Sequence, residues 1–237
     1  TFSLKKGIKQ FGDKAKGAAY GEMKQLHDRV VFEPVDVNSL KPDEKKKAME
    51  SLLFLTEKRD GRIKGRTCAN GSVQWEYIER KDAASPTAMT ESILLTGTID
   101  AKQGRDVMTA DIPNTFVQTK IDEKELRYRV IMKICGALAN IILEIVHGVY
   151  SPYISYKGKS KVLYVKMNMA LYGMMISSLL YYKKFRKDIK SIEFQVNPYD
   201  PCVANRVING KQHTVTWHVD DLKSSHVDPK VNDQFLE

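Results

Sequence analysis

A chain of 237 residues, 42% of them hydrophobic, carries enough apolar side chains for one large domain or two small ones, which argues against a wholly disordered polypeptide. Its formal charge of +9 is spread along the sequence rather than held in one tail, and favours a polyanionic partner such as nucleic acid. Cys68, Cys135 and Cys202 lie far apart with no CxxC pair, and the longest apolar run, Ala137 to Val146, is too short to span a bilayer; the expectation is a soluble protein of the cytoplasm or nucleus, with no membrane partner.

Residues 1–48 read as a lysine-rich helical arm, two helices around an extended "FEPVDV", the second opened by Pro42 with Asp43 and Glu44 at its positive end. Next, Asp60-Gly61 is a hairpin signal, and the hairpin would display Lys58, Arg59, Arg62, Lys64 and Arg66, as suits either phosphate binding or a solvated loop. A helix is expected from Ser85-Pro86 through "TAMTESILLTGTIDA", and then a strand that ends at Asp111, with Pro113 marking the break. The middle of the chain predicts a strand, a short buried helix, a polar loop with tyrosines and the strand "KVLYVKM".

From about Ser177 the pattern is helical again, with Leu179, Leu180, Tyr182 and Phe185 forming an apolar stripe. Asn209-Gly210 signals a type I′ hairpin between "CVANRVI" and "HTVTWHV", and the Asp220-Asp221 pair turns the chain into "LKSSHV", giving a three-strand meander. Asp228 and Pro229 then have the character of an N-cap and a first helical residue, so a helix is expected to open there; the chain reads as a piece of a longer polypeptide.

Three readings of the aspartate pair stay open on these grounds. Aspartate caps turns by bonding its own backbone, so the pair suits a solvated tip. Paired carboxylates also repel unless a hard cation lies between them, and Mg²⁺ takes oxygen ligands. A third reading joins His218 and Asp220 as an HxD pair with His226, the beginning of a facial triad in a metal-dependent oxygenase.

Taken together, a carboxylate at a strand end (Asp111), a glycine before a helix (Gly173) and an aspartate pair at a tight turn (Asp220, Asp221) resemble motifs A, B and C of a reverse transcriptase palm. The resemblance is to the Ty1/copia class of retrotransposon polymerases and covers roughly residues 50–227. Five segments carry it in order. "KGRTCANGSVQ" (Lys64 to Gln74) is similar to the family's "KARLVAKGF.Q", and "SPTAMTESILL" (Ser85 to Leu95) to its "SPV…SIR.LL". "DIPNTFVQT" (Asp111 to Thr119) resembles "DVKTAFLNG", "ALYGMMISSLLYY" (Ala170 to Tyr182) resembles "ALYGLKQSPRAWY", and "DPC" (Asp200 to Cys202) with "HVDDL" (His218 to Leu222) resembles "DPC" with "YVDDL".

The resemblance implies RNA-directed DNA synthesis by two-metal nucleotidyl transfer, with Asp111 and Asp220 holding two Mg²⁺ ions (Mn²⁺ as a substitute) and Asp221 supporting their charge and geometry. Lys64 and Arg66 would clasp the phosphates of an incoming dNTP, Phe116 would lie under its sugar, and Gly173 would let backbone approach nucleotide or template. The implied partners are an RNA or DNA template with its primer and the remaining domains of a Pol polyprotein (integrase, thumb and RNase H), and the implied setting includes a virus-like particle. The expected fold is α+β: an N-terminal helical arm over 1–48, a fingers-like region over 49–105, and a palm over 106–237 with an antiparallel sheet backed by helices, thumb and RNase H absent. The departures are His218 for the family's tyrosine and "MMISS" (Met174 to Ser178) for "LKQSP", which removes a cation and an amide and leaves a non-catalytic nucleic-acid-binding relic as the alternative.

Overall fold

In the computed structural model, which describes residues 1–236, helices and strands are mixed along the chain and the fold is α+β. The first stretch holds β1 (Phe2–Ser3), α1 (Leu4–Phe11), α2 (Asp13–Asp28), β2 (Phe32–Pro34), α3 (Pro42–Lys47), β3 (Met49–Glu57), β4 (Ile63–Asn70) and α4 (Arg80–Ala83). There follow α5 (Thr90–Gln103), β5 (Asp106–Asp111), α6 (Glu123–Leu126), β6 (Ile131–Cys135), α7 (Ala137–Ile145), α8 (His147–Tyr150), β7 (Ile154–Lys157) and β8 (Ser160–Met167). The last stretch holds α9 (Ser177–Ser191), β9 (Gln195–Val196), β10 (Val203–Ile208), β11 (Lys211–His218), β12 (Asp221–His226) and α10 (Pro229–Leu236). No helix among the described residues is long and apolar enough to cross a membrane.

The chain divides into two compact units, one of Thr1–Ala83 with Phe116–Ser177, the other of Ala84–Thr115 with Ser178–Glu237. The first is built on a seven-stranded mixed sheet. β3 pairs along its length with β4; its other edge takes β1 at Phe54 and Leu55 and, in parallel, β6 at Met49 and Glu50. β8 continues the sheet antiparallel to β6 and also pairs with β2 and β7. Alternation drives this: Met49, Ser51, Leu53 and Leu55 of β3 are buried, while the residues between them are more exposed.

The N-terminal residues, read from the sequence as a helical arm, form α1, α2 and α3 and also join the sheet. They supply two strands to the sheet, and α2 buries Ala15, Ala19, Met23 and Leu26, a stripe at helical spacing that has to be covered. The polar stretch with tyrosines is likewise a hairpin rather than a loop, β7 and β8 turning at Gly158, whose φ is 61°. Asp60-Gly61 turns β3 into β4 as its sequence predicts, with Gly61 at φ 77° and the Asp60 carboxylate accepting from the backbone and side chain of Arg62.

The second unit is a five-stranded sheet in the order β5-β12-β11-β10-β9, antiparallel throughout. Asn209 and Gly210 join β10 to β11 with φ of 51° and 72°, both positive as the I′ turn requires. Its core gathers Ile189, Phe194, Cys202, Ala204, Val215, Trp217 and Leu222, with Phe185 meeting Trp217 edge-to-face at 5.1 Å. Burial of each large side chain contributes roughly 1.5–3 kcal/mol. α5 begins at Thr90 rather than at Pro86, because buried Asp200 accepts from the Met89 amide (2.9 Å) while its other oxygen accepts from the Cys202 amide (2.9 Å), holding the segment before the helix extended.

A polar chain links β10, β11, β12, α10 and β5 in this unit. Arg206 Nε donates to His213 Nδ1 (3.3 Å), His213 Nε2 lies 2.7 Å from Ser224 Oγ, Ser224 donates to Asn232 Oδ1 (2.8 Å), and Asn232 Nδ2 donates to the Asp106 carboxylate (2.6 Å). Arginine can only donate, so His213 Nδ1 accepts and Nε2 carries the proton of the neutral ring. Burial, then Arg206, His226 and Arg105, push His213 down from 6.5 to about 4. Its unfolded form therefore binds a proton that the folded form refuses. Stability is full above the unfolded value of 6.5 and falls as pH drops toward the folded value of about 4. Denaturant titrations are expected to show a loss of roughly 2 kcal/mol between about pH 7 and about pH 5. A His213→Leu variant, less stable at neutral pH, lacks this dependence.

Candidate active site

β11 ends at His218 and β12 begins at Asp221, so Val219 and Asp220 form a two-residue loop. On its other edge β12 pairs with β5, and Asp221 stands opposite Asp111, the two carboxylates coming from segments far apart in sequence. The Ile112 amide donates to the Asp220 carbonyl at 2.9 Å. That bond flanks the pair instead of joining it, which makes Asp111 and Asp221 a non-hydrogen-bonded pair, the register in which cross-strand side chains lie closest. His218, opposite Asp221 on β11, completes a row His218, Asp221, Asp111 on one face, all three exposed.

The row opens onto a cleft of about 450 Å³, lined also by Thr109, Thr216, Trp217, Lys223 and, from α5, Ile93. Lys223 does not neutralise the aspartates of the row. Its ammonium lies 2.6 Å from the Asp100 carboxylate and 3.1 Å from Thr96 Oγ1, with Arg105 3.8 Å from the other Asp100 oxygen, so this ion pair fastens α5 over the sheet. Like charges directly opposite one another destabilise a sheet. The backbone adds to the cost, since Val219 takes φ 56° where a two-residue loop of this kind favours glycine. A β-branched residue in that region stores on the order of 1–3 kcal/mol, and such strain clusters at functional sites.

Asp111 and Asp221 are hard oxygen donors of the kind Mg²⁺ takes, with Asp220 one residue away in the loop. Among the described residues no group of three or more His, Cys, Asp or Glu side chains is drawn together as a metal cluster. In the strand register it is Asp221 that stands opposite Asp111, and Asp220 lies in the loop beside them. The negative charge of Asp220 acts on Tyr181 of α9, whose hydroxyl is pushed up first by burial and then by that charge. His226 lies at the far end of β12, buried opposite Asp106 with its ring 5.8 Å from His213, so the HxD reading loses its third ligand.

The remaining candidate residues belong to the first unit. Lys64 and Arg66 are exposed on β4. Lys64 lines a groove of about 820 Å³ with Lys58, Arg59 and Arg62 of the hairpin and Glu22 of α2. Glu22 accepts from the Thr67 amide (2.7 Å), and burial pushes its carboxyl up against the opposing pull of Lys64 and Arg66. The Arg66 guanidinium lies 4.4 Å over the Tyr172 ring, which in turn meets Phe116 edge-to-face at 4.7 Å. Arg66, Tyr172 and Phe116 thus form one stack. Tyr172 was not singled out from the sequence, although it is part of the same "ALYG" segment as Gly173.

Phe116 is only 8% exposed, which leaves little of its ring for a sugar. Gly173, at φ 86°, faces the chain's own backbone: a Cβ there would clash with the Ala69 carbonyl oxygen, and one on Gly71 with the Gly173 carbonyl oxygen. The Ala69 amide donates to the Tyr172 carbonyl at 2.7 Å across this crossing. Beyond it Met174, Ile176 and Ser177 are buried, and Gln74 Oε1 accepts from the Met175 amide at 2.8 Å. Neither a scan against protein-family models nor a search of curated proteins finds a match to this chain.

Proposed function

We propose that this chain is the palm and fingers part of an RNA-directed DNA polymerase of the Ty1/copia class. The observation that carries the reading is the Asp111–Asp221 pair, two carboxylates set directly opposite each other with Asp220 beside them and no side-chain cation of the cleft assigned to them. The three aspartates would hold Mg²⁺, which supplies charge neutralisation for phosphoryl transfer from a dNTP to a primer hydroxyl. On the same resemblance, Arg66, its planar fork held over Tyr172, and Lys64 in the basic groove would bind nucleotide phosphates.

A second reading, a nucleic-acid-binding relic without catalysis, is favoured by one specific feature. The segment Met174 to Ser177 is packed and largely buried, where the polymerase class it resembles carries a cation and an amide. Primer extension on an RNA template separates the two. Extension that appears with Mg²⁺ and stops with a chelator supports the polymerase; salt-sensitive template binding with no extension, in a chain extended through any following domains, supports the relic.

A further inference from the structure

A second site lies in the first unit and shares no residue with the candidate active site. A cavity of about 500 Å³ is walled by Tyr77 and Tyr128, whose rings stand perpendicular (88°) with centroids 5.9 Å apart. Tyr77 is held in place: the Lys47 ammonium lies 4.9 Å from its ring centroid while also pairing with Asp43 at 2.8 Å. Arg129 is held as well, both arms of its fork on Glu44 at 2.8 and 2.9 Å, and Glu44 in addition accepts from the Lys41 amide. The fixed parts of the cavity are thus one aromatic ring and one braced guanidinium.

Two exposed cations, Lys41 and Arg127, complete the lining, and Arg127 closes α6 in a left-handed conformation (φ 62°) immediately before Tyr128 in the chain. The two arginines and two lysines of the lining outnumber Asp43 and Glu44. Aromatic walls beside excess positive charge suit a ligand that is flat at one point and anionic at the next. A cavity of this size takes one base with its sugar, and a base paired inside a duplex does not present its face.

We propose that this cavity binds an unpaired nucleotide of a single-stranded nucleic acid, its base against Tyr128 and its flanking phosphates toward Arg127 and Lys41. The site goes beyond the polymerase reading and stands or falls separately from it, since it uses none of the same residues.

Fluorescence anisotropy with a labelled oligothymidylate and a blunt duplex of equal length tests the site. Tyr128→Ala is expected to weaken single-strand binding about tenfold and leave duplex binding unchanged. Tyr128→Phe retains binding, because stacking needs the ring and not the hydroxyl. Arg127→Ala reduces the slope of log affinity against log salt by about 0.7, the value for one phosphate contact on a single strand. Melting curves monitor the fold of each variant, and a Tyr128→Trp variant gives a direct signal, quenched when the oligonucleotide is added. Unchanged single-strand binding in a folded Tyr128→Ala, equal losses for strand and duplex, or an unquenched Tyr128→Trp would each overturn the proposal. An Asp111→Asn chain that binds the oligonucleotide normally but does not extend a primer leaves this site standing, whatever becomes of the polymerase reading.

Discussion

Replacing Asp111 with asparagine is expected to lower Mg²⁺-dependent primer extension by at least about a thousandfold while making the metal-free protein slightly more stable. The two effects share one cause. Asp111 faces Asp221 in the register that brings side chains closest, so the neutral amide removes an anionic oxygen ligand and a like-charge repulsion together. The gain in stability should be about 0.5 kcal/mol, read by denaturant titration at low ionic strength, where screening is weakest. Asp221→Asn should give the same gain, and the double variant little more, because either change alone already removes the repulsion. Asp220→Asn should cost extension without the gain, since the loop keeps Asp220 out of the opposed pair. Extension that survives all three changes would remove these residues from catalysis. A fall in stability for Asp111→Asn would show that the pair is not repulsive.

Gly173→Ala is expected to destabilise the first unit by about 4 kcal/mol, combining the strain of a side chain at positive φ with overpacking against backbone. At φ 86° an alanine is already disfavoured, and its Cβ would meet the Ala69 carbonyl, part of a strand that pairs along its length with β3. Backbone on both sides of the contact leaves no flexible side chain to move aside. Gly71→Ala meets the same crossing from the other side, at the Gly173 carbonyl, and should be destabilising too. Thermal melts followed by circular dichroism measure both. A Gly173→Ala melt within error of the parent would mean that the crossing can open, and that the glycine's role lies elsewhere.

Much of the local structure was legible from residue pattern. The turns at Asp60-Gly61 and Asn209-Gly210, the strand ending at Asp111, the helix from Ser177 and the Pro229 helix start all form where short-range chemistry puts them, because turn residues, proline and apolar periodicity act over a few residues. The short strands β1 and β2 were not legible for the opposite reason: whether such segments join a sheet depends on pairing with β3 and β8, which come later in the chain. The start of α5 at Thr90 depends in the same way on Asp200, more than a hundred residues away.

The sequence by itself determined that acidic groups would gather at the end of one strand and at the tip of a later hairpin, since alternation and turn signals already place Asp111, Asp220 and Asp221 there. Only the tertiary structure decided which of them oppose each other. Register is set by strand pairing across the sheet, and a shift of one residue would exchange Asp220 for Asp221. It also decided what fills the space around Gly173 and Phe116, because burial arises from contacts between distant segments that no local pattern encodes.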